Sequence, residues 1–254
     1  MILSWKIILI IWLVYAIAYN ISLIRQPLRS KRAAPPSRGW GNRLRLLVIG
    51  ATGGTGRQLV QQALEEGHKV TAFVRKPNKL ELTHPNLRVV QGNVLNYESL
   101  EAAMQGQSAV VSALGHKRLF WPTRILSKGT ENIMRAMKSC RVPRLICETS
   151  LGVGDTVGRL GLPATLLFVP LILPFYFRDR VRQEELVANN TDLDWVIVRP
   201  ATLTNGARRG SYRHGPKVGN YIWPRRISRA DVAEFMLHQL NDDSYIGHTP
   251  GICC

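Results

Sequence analysis

"VIGATGGTGRQLVQQAL", residues 48–64, places three glycines at a spacing of three between an apolar run and a helical pattern. The preceding run, "RLLVIG", is rich in leucine and β-branched residues, which is typical of a buried strand. After the glycines, the apolar residues between Leu59 and Leu64 share one helical face, and Gly67 ends the helix ahead of a strand-like run, "HKVTAFV". The stretch therefore predicts a strand, a tight turn, a helix and a second strand, the context of dinucleotide-binding loops.

The glycine spacing leaves two interpretations open. Gly50, Gly53 and Gly56 form GxxGxxG, whereas the common dinucleotide fingerprint is GxGxxG, and a plain glycine-rich turn would also give this pattern. Glycines let the backbone approach a pyrophosphate closely, and the free N–H groups at a helix N-terminus stabilise its charge. The strand and helix on either side favour the phosphate loop over the plain turn.

Strand-like and helical patterns continue to alternate after this unit. Strands are predicted at "LRVVQGNVL", "SAVVSALG", "RLICETS" and "DWVIVRP", and helices at "YESLEAAMQG", "TRILSKGTENIMRAMKSC", "RDRVRQEELVAN" and "SRADVAEFMLHQL". This alternation predicts the α/β class, with a Rossmann-type doubly wound parallel sheet covered by helices on both faces. Residues 44–254 are long enough and apolar enough to form this sheet as a single domain.

The chain begins with residues 1–24, "MILSWKIILIIWLVYAIAYNISLI", in which Lys6 is the only charge. This length is near the roughly 20 residues that a membrane-spanning helix needs. Residues 16–18, "AIA", resemble a cleavage site with small residues at its first and third positions, so a signal peptide stays open as the alternative. The cations that follow favour an uncleaved single-pass anchor with the domain in the cytoplasm, joined by a basic Pro/Gly linker at residues 25–43.

The formal net charge of +17 is compatible with a solvated linker, a nucleic-acid partner or anionic lipid. The neighbouring apolar segment favours lipid, and because no base-reading module is recognisable, no nucleic-acid partner is expected. Four cysteines show neither metal-ligand spacing nor a disulfide framework, so no metal is expected. Cys147 is predicted to be a buried thiol, Cys140 to end a helix, and the terminal pair Cys253 and Cys254 is a conceivable lipidation site.

Six blocks in chain order carry a family resemblance: "GATGGTG", "FVRKPNKL", "VVQGNVLNYESLEAAMQGQSAVVSALG", "SKGTENIMRAMKSCRVPRLICETS", "DLDWVIVRPATLTNG" and "ISRADVAEFMLHQL". The chain resembles the atypical short-chain dehydrogenase/reductase group, and within it the NAD(P)H-binding proteins related to biliverdin-IXβ reductase, which also reduces flavins. The similarity covers about residues 44 to 250. It implies the Rossmann fold and the dinucleotide site, but no particular substrate, because the group includes several activities.

The resemblance implies a phosphate loop made of Gly50, Thr52, Gly53, Gly54, Thr55 and Gly56. It implies further cofactor contacts from Asn93, Val94, Ala113, Leu114, Gly115, Ser150, Arg180 and Pro200. Arg75 lies 19 residues after Gly56, where NAD-binding proteins carry a carboxylate for the ribose hydroxyls. A cation there suits the 2′-phosphate, so NADP (NADPH) is predicted over NAD, with an ordinary surface arginine as the alternative.

Three residues are candidates for catalysis. Ser150 matches the active-site serine of the family, although a serine at a strand end is often only a cap for the local backbone. The usual reductases of the superfamily use a Tyr-x-x-x-Lys pair, and this chain has Tyr176 and Arg180. One helical turn would place both on one face, whereas Pro174 also allows Tyr176 to lie in an entry loop as a packed aromatic. Arginine is not a proton donor at neutral pH, so the standard carbonyl reduction is not expected.

These features predict hydride transfer from NADPH to a conjugated or lipophilic acceptor, such as a quinone or a flavin. The alternative is a non-catalytic NADP-binding sensor or assembly scaffold at the membrane. The apolar stretch at residues 160–177, "LGLPATLLFVPLILPFYF", contains three prolines that disfavour a spanning helix. We expect either a lid folded against the domain or a loop that dips into the bilayer interface and opens the site to a lipid-soluble acceptor. The loop "NGARRGSYRHGP" is predicted to be a solvated hairpin.

Overall fold

Helices packed on a parallel sheet recur along the structure, a computed structural model that describes residues 5–28, 43–116 and 121–254. Within these residues the main sheet has the strand order β3-β2-β1-β4-β5-β6-β10-β8, parallel except for β8, which runs antiparallel to β10. A separate pair, β7 and β9, is parallel. The strands are β1 (Arg45–Ile49), β2 (Lys69–Val74), β3 (Leu87–Gln91), β4 (Ala109–Ser112), β5 (Arg144–Glu148), β6 (Asp194–Pro200), β7 (Thr202–Thr204), β8 (Arg213–Gly215), β9 (Arg226–Ser228) and β10 (Gly251–Cys253).

The helices cover both faces of this sheet. They are α1 (Trp5–Leu23), α2 (Gly54–Glu65), α3 (Tyr97–Met104), α4 (Ile125–Ser139), α5 (Val169–Leu171), α6 (Pro174–Ala188) and α7 (Arg229–His238). In β1, Leu46 and Val48 enter the core layer of α2 and α7, whereas Leu47 and Ile49 enter that of α3 and α4. This period of two, with both faces buried, is the pattern of a central parallel strand. The predicted doubly wound Rossmann fold is confirmed.

The order of the strands also determines where a ligand binds. The chain runs from β1 outward to β3, and then crosses back to place β4 on the other side of β1. In open parallel sheets the crevice at this reversal, outside the carboxyl ends of the strands, is the binding position. The glycine loop follows β1 directly and therefore lies at this edge.

Two elements differ from the sequence-based expectation. Helix α6 begins at Pro174, four residues before the predicted start at Arg178, since proline is compatible with the first turn of a helix. Tyr176 therefore belongs to the helix and not to an entry loop. In the predicted hairpin "NGARRGSYRHGP", β8 instead pairs with β10 and forms the edge of the main sheet.

The cysteine expectations are confirmed where the structure tests them. Cys140 follows the last residue of α4, and Cys147 is buried within β5. Cys253 is buried in β10, whereas Cys254 is exposed.

The apolar stretch of residues 160–177 has two sides. Ala164–Phe168 forms a π-helical turn that leads through α5 into α6. Val169 and Phe177 are buried, as expected of a lid. By contrast, about half of the surface is exposed at Leu162 (50%), Leu167 (48%), Phe168 (54%) and Leu171 (55%). Burial against the domain therefore accounts for only one side of this stretch.

Helix α1 is long and apolar enough to cross a membrane, a property that an N-terminal signal sequence shares. Its buried residues are Ala16, Tyr19, Asn20 and Leu23, one stripe of the helix that packs on the stretch of residues 160–177. The Tyr19 hydroxyl donates to the Pro174 carbonyl at 2.6 Å. Residues 1–4 and 29–42, the latter including most of the predicted linker, lie outside the described residues.

Candidate functional site

The glycine loop is a tight turn in which Gly50 and Gly56 leave no room for a Cβ. Gly50 has a φ of +78°, and a Cβ there would lie 2.3 Å from the Ala113 carbonyl oxygen at the end of β4. A Cβ on Gly56 would lie 2.0 Å from the Gly50 carbonyl oxygen, so this glycine sets the close packing of α2 against the turn. Gly53 caps α2. The N–H groups of the first helical turn have no intrahelical partners and are available to an anion.

A cation that the sequence analysis missed lies across this loop. A Cβ on Gly54 would lie 2.4 Å from Cδ of Arg229, whose guanidinium also donates to the Asn205 amide oxygen at 2.6 Å. Arg229 is the first residue of α7, after the cap residue Ser228. A positive charge at a helix N-terminus is unfavourable because the helix dipole is positive there. An arginine at this position in the sequence therefore indicated a role outside the helix. Arg229 supplies positive charge where phosphates are expected.

The predicted adenosine side of the site forms a cavity of about 440 Å³. It is lined by Arg75, Gln91, Gly92, Asn93, Asn96 and Ser99. Arg75 is exposed at the end of β2, so its guanidinium is accessible to a phosphate. The amide oxygen of Asn93 accepts from the backbone N–H of Leu95 at 3.1 Å, and Val94 is buried beside it. The structure thus brings Arg75 and Asn93 together in the lining of one cavity, with Val94 next to Asn93 in the chain, and their contacts with a cofactor stay a prediction.

Tyr176 and Arg180 meet on one face of α6 at the opposite side of the site. Nη2 of Arg180 donates to the Tyr176 hydroxyl at 2.5 Å, and Nη1 donates to the Glu148 carbonyl at 2.9 Å. A Cβ on Gly115 would lie 3.9 Å from the Tyr176 hydroxyl oxygen. The phenol therefore borders the end of β4, where Ala113, Leu114 and Gly115 are predicted to pass beneath the nicotinamide ribose.

Arg180 is a fixed cation under the phenol. Burial opposes its charge, but Tyr176 and Glu148 outweigh this effect and hold the pKa of the guanidinium above its ordinary value. Gln183 accepts a further hydrogen bond from Nη1 at 2.8 Å. These three partners orient the guanidinium so that one nitrogen faces the Tyr176 oxygen.

His116 is a second residue that the sequence analysis did not place in the site. Its ring packs edge-on against Tyr176 with 5.1 Å between ring centroids, and its Nε2 lies 3.1 Å from the Thr123 hydroxyl. Its position directly after Gly115, at the carboxyl end of β4, was the signal in the sequence.

Ser150 and Pro200 occupy neighbouring strand ends. The Ser150 hydroxyl donates to the Leu151 carbonyl at 2.8 Å, the local bond typical of a serine at a strand end. The Pro200 carbonyl, at the end of β6, accepts from the Leu151 N–H at 3.0 Å. Ser150 is partly exposed and can still accept a hydrogen bond from a ligand.

A buried carboxyl lies directly behind the glycine loop. The Thr55 hydroxyl donates to Glu148 at 3.0 Å. Burial raises the pKa of the Glu148 carboxyl, although the Arg180 cation and the Thr55 hydroxyl act in the opposite direction.

The family of NAD(P)H-binding proteins matches residues 50–243, which contain the glycine loop, the cavity at Arg75 and the Tyr176–Arg180 pair. The chain belongs to this family. The resemblance drawn from the sequence blocks is thereby confirmed, and a nicotinamide dinucleotide is the cofactor that the family implies. The residues present fit such a cofactor, since Gly50 and Gly56 leave no room for a Cβ and thereby allow the tight turn of a dinucleotide-binding loop at the N-terminus of α2.

The chain is similar to proteins with different printed roles. Photosystem II assembly factor Ycf39 of Synechocystis is 30% identical over 79% of this chain and 60% of its own length. A 3-beta-hydroxysteroid dehydrogenase of Mycolicibacterium neoaurum is 31% identical over 63% of this chain and 47% of its own length. A solved Rossmann-fold NAD(P)-binding protein from Shigella flexneri is 29% identical, with a TM-score of 0.60 over 82% of this chain and 92% of that protein. NAD(P)-binding enzymes and an assembly factor are thus both among its relatives.

Proposed function

We propose that the protein is a membrane-attached, NADPH-dependent reductase that transfers hydride to a conjugated or lipophilic acceptor such as a quinone or a flavin. The observation that carries this proposal is the buried Arg180 donating to Tyr176, whose hydroxyl borders Gly115 beside the glycine loop. When bound, the reduced nicotinamide supplies the hydride. The protein supplies the position of the reactants, a polar tyrosine at the acceptor side and fixed positive charge.

Tyr176 is proposed to deliver a proton to the reduced acceptor. The guanidinium of Arg180 stabilises negative charge that develops on the phenol oxygen as its proton leaves. Lysine performs this task in the usual reductases of the superfamily, and arginine does so here as a permanent cation with a fixed fork of donors. Quinones and flavins suit this arrangement, because each becomes an anion when it accepts hydride and then takes up a proton.

A lipophilic acceptor is favoured by the apolar stretch that leads into the site. Half-exposed apolar side chains from Leu162 to Leu171 precede α6, and Tyr176 lies in the first turn of that helix. The similar dehydrogenase from Mycolicibacterium neoaurum is named for a steroid, which is also a lipophilic substrate.

The direct test is NADPH oxidation by the full-length protein in nanodiscs, with a panel of quinones and flavins. Steady turnover that depends on the acceptor supports the reductase. Tight NADPH binding without turnover on any acceptor would instead favour the second candidate, a non-catalytic NADP-binding sensor or assembly scaffold. The similarity to Ycf39, named as an assembly factor, is the specific observation behind this candidate.

Arg75→Ala is expected to weaken NADPH binding by about 1–3 kcal/mol, because it removes a charged hydrogen bond to the 2′-phosphate. NADH binding should be unchanged, since NADH lacks this phosphate. Lys76→Ala is the matched control, an exposed cation next in the chain. Calorimetric titration of both variants with both cofactors measures the effect, and equal losses for NADPH and NADH would refute the assignment of Arg75.

The domain is proposed to face the cytoplasm, because cations that follow an apolar N-terminal helix resist translocation. A reporter that is active only in the cytoplasm, fused after Cys254, should therefore be active. Mass spectrometry of the mature chain provides the control. A mature protein that lacks residues 1–18 would show that the N-terminal segment is a cleaved signal peptide.

A further inference from the structure

We propose that the protein presents an apolar platform that lies in the interface of an anionic lipid bilayer, beside α1. The platform consists of the exposed side chains of Leu162, Leu167, Phe168, Leu171, Tyr221, Ile222 and Trp223. It extends the proposed membrane attachment from α1 to the body of the domain, and it does not depend on hydride transfer.

The platform joins two segments that are distant in the sequence. The Leu162 N–H donates to the Ile222 carbonyl at 3.1 Å. Leu160 and Asn220, two residues earlier in each segment, form an isolated parallel β-bridge. Nε of Arg159 donates to the Tyr221 hydroxyl at 3.4 Å. Tyr221, Ile222 and Trp223 expose 60%, 57% and 72% of their surface. Three consecutive large apolar side chains that remain this exposed indicate an interaction surface.

Helix α1 is tied to the same platform by polar contacts. The Asn20 amide donates to the Thr165 carbonyl at 2.8 Å, and the Tyr15 hydroxyl donates to the Pro170 carbonyl at 3.3 Å. Both carbonyls belong to the backbone that carries Leu167, Phe168 and Leu171. An asparagine within an apolar helix needs such a partner if the helix lies in lipid.

The length of α1 places the platform at the bilayer. Ahead of the buried stripe that starts at Ala16, the helix runs from Trp5 to Tyr15. At about 1.5 Å per residue this part is about 16 Å long, roughly half of the ~30 Å hydrocarbon thickness. The other half of α1, from Ala16 to Leu23, packs on the domain. If α1 spans the bilayer, this half must lie in the bilayer as well. The residues that contact this half, including Thr165 and Pro170, are then drawn to the membrane surface.

Charge identifies an anionic bilayer as the occupant. Arg178, Arg182, Lys217, Arg225 and Arg226 are exposed on the segments that carry or flank the platform. Lysine and arginine beside an apolar surface attract anionic headgroups, and tryptophan and tyrosine favour the headgroup level. A second copy of the chain would bring these like charges together, which disfavours self-association through this face.

The test is spin labelling of the full-length protein in phosphatidylcholine vesicles with phosphatidylserine. Labels are attached at Phe168→Cys and Trp223→Cys. Gln105→Cys is the matched control, because Gln105 is exposed after α3 and precedes β4, at the amino ends of the parallel strands. Cys140→Ser and Cys254→Ser remove the accessible native thiols. We expect the labels at 168 and 223 to collide more with oxygen, which partitions into lipid, than with a water-soluble nickel chelate. The label at 105 should show the reverse.

A fourth variant, labelled at position 223, leaves α1 and the candidate cofactor site unchanged but alters the platform. Combining Leu167→Ser with Ile222→Ser should move the label at 223 toward the accessibility of the control, while α1 stays inserted. A label at 223 that is as accessible to the chelate as the control, before any serine substitution, would overturn the proposal. A label shielded from both probes would also overturn it, because protein would then cover the face. Failure of NADPH turnover would leave the accessibility result intact, so the two proposals are tested separately.

Discussion

Tyr176→Phe is expected to slow acceptor-dependent NADPH oxidation by about 10²- to 10⁴-fold, the usual contribution of a positioned proton donor. The substitution removes only the hydroxyl that receives the hydrogen bond from Arg180. The ring remains, so its contact with His116 is kept. NADPH affinity should therefore change little, and the loss should fall on kcat. Stopped-flow measurement of NADPH oxidation in a single turnover separates the chemical step from binding.

Tyr97→Phe is the matched control, because this tyrosine hydroxyl bonds to Glu101, away from the glycine loop. Its rate should equal that of the unmodified protein. Arg180→Met tests whether the cation acts through the phenol. With the cation absent, charge on the phenol oxygen is less stable, so Arg180→Met should slow the chemical step, whereas the same substitution added to Tyr176→Phe should have little further effect. A Tyr176→Phe variant with an unchanged rate would show that proton transfer uses solvent or another group.

The parts of the fold that the sequence predicted well depend on local patterns. Each strand and its following helix carry their own periodicity, and Gly53 and Gly56 face the Gly50 carbonyl within one β-turn-α unit. Arg75 could be found because its distance from the glycine loop is a property of that unit. Such features need no knowledge of how distant segments pack.

The parts that the sequence did not reveal depend on packing between distant segments. Pro174 is compatible with a loop and with the first turn of a helix, and α1 contacts this turn through Tyr19. Arg229 reaches Gly54 only because α7 packs beside α2. Apolar content alone also could not separate the buried side of residues 160–177 from the exposed side. In each case the deciding contact lies far away in the chain.

A charged residue within a buried strand was another signal of such packing. Arg199 interrupts the apolar run "DWVIVRP" of β6 and has no exposed surface. A buried charge needs a partner, and α6 supplies it through Glu184. Nε and Nη2 of Arg199 donate to the two carboxylate oxygens at 3.0 and 2.7 Å, and Nη1 donates to Asp155 at 2.7 Å. The sequence could indicate that a partner exists, but not which carboxylate it is.

Glu184→Ala is expected to lower the free energy of unfolding by about 3–5 kcal/mol, because it leaves the buried guanidinium of Arg199 without its main partner. Burial opposes the charge of Arg199, but Glu184 and Asp155 outweigh it and hold its pKa above the ordinary value. In the variant the guanidinium stays charged even without Glu184, because arginine does not lose its proton in proteins. The Thr149 hydroxyl also loses its acceptor, at 2.6 Å. Urea unfolding of the full-length protein in detergent, followed by circular dichroism, measures the loss.

The adjacent Glu185 provides a matched control. It pairs with Arg25 at 2.6 Å, but 36% and 43% of the two side chains are exposed, so Glu185→Ala should cost less than about 1 kcal/mol. Combining Glu184→Leu with Arg199→Met removes both charges and should recover most of the stability lost in Glu184→Ala. Because Glu184 of α6 bonds to Arg199 near the end of β6 and to Thr149 after β5, the single variant should also weaken NADPH binding before it unfolds. Equal stability of the two alanine variants would show that the buried pair does not hold these ends together.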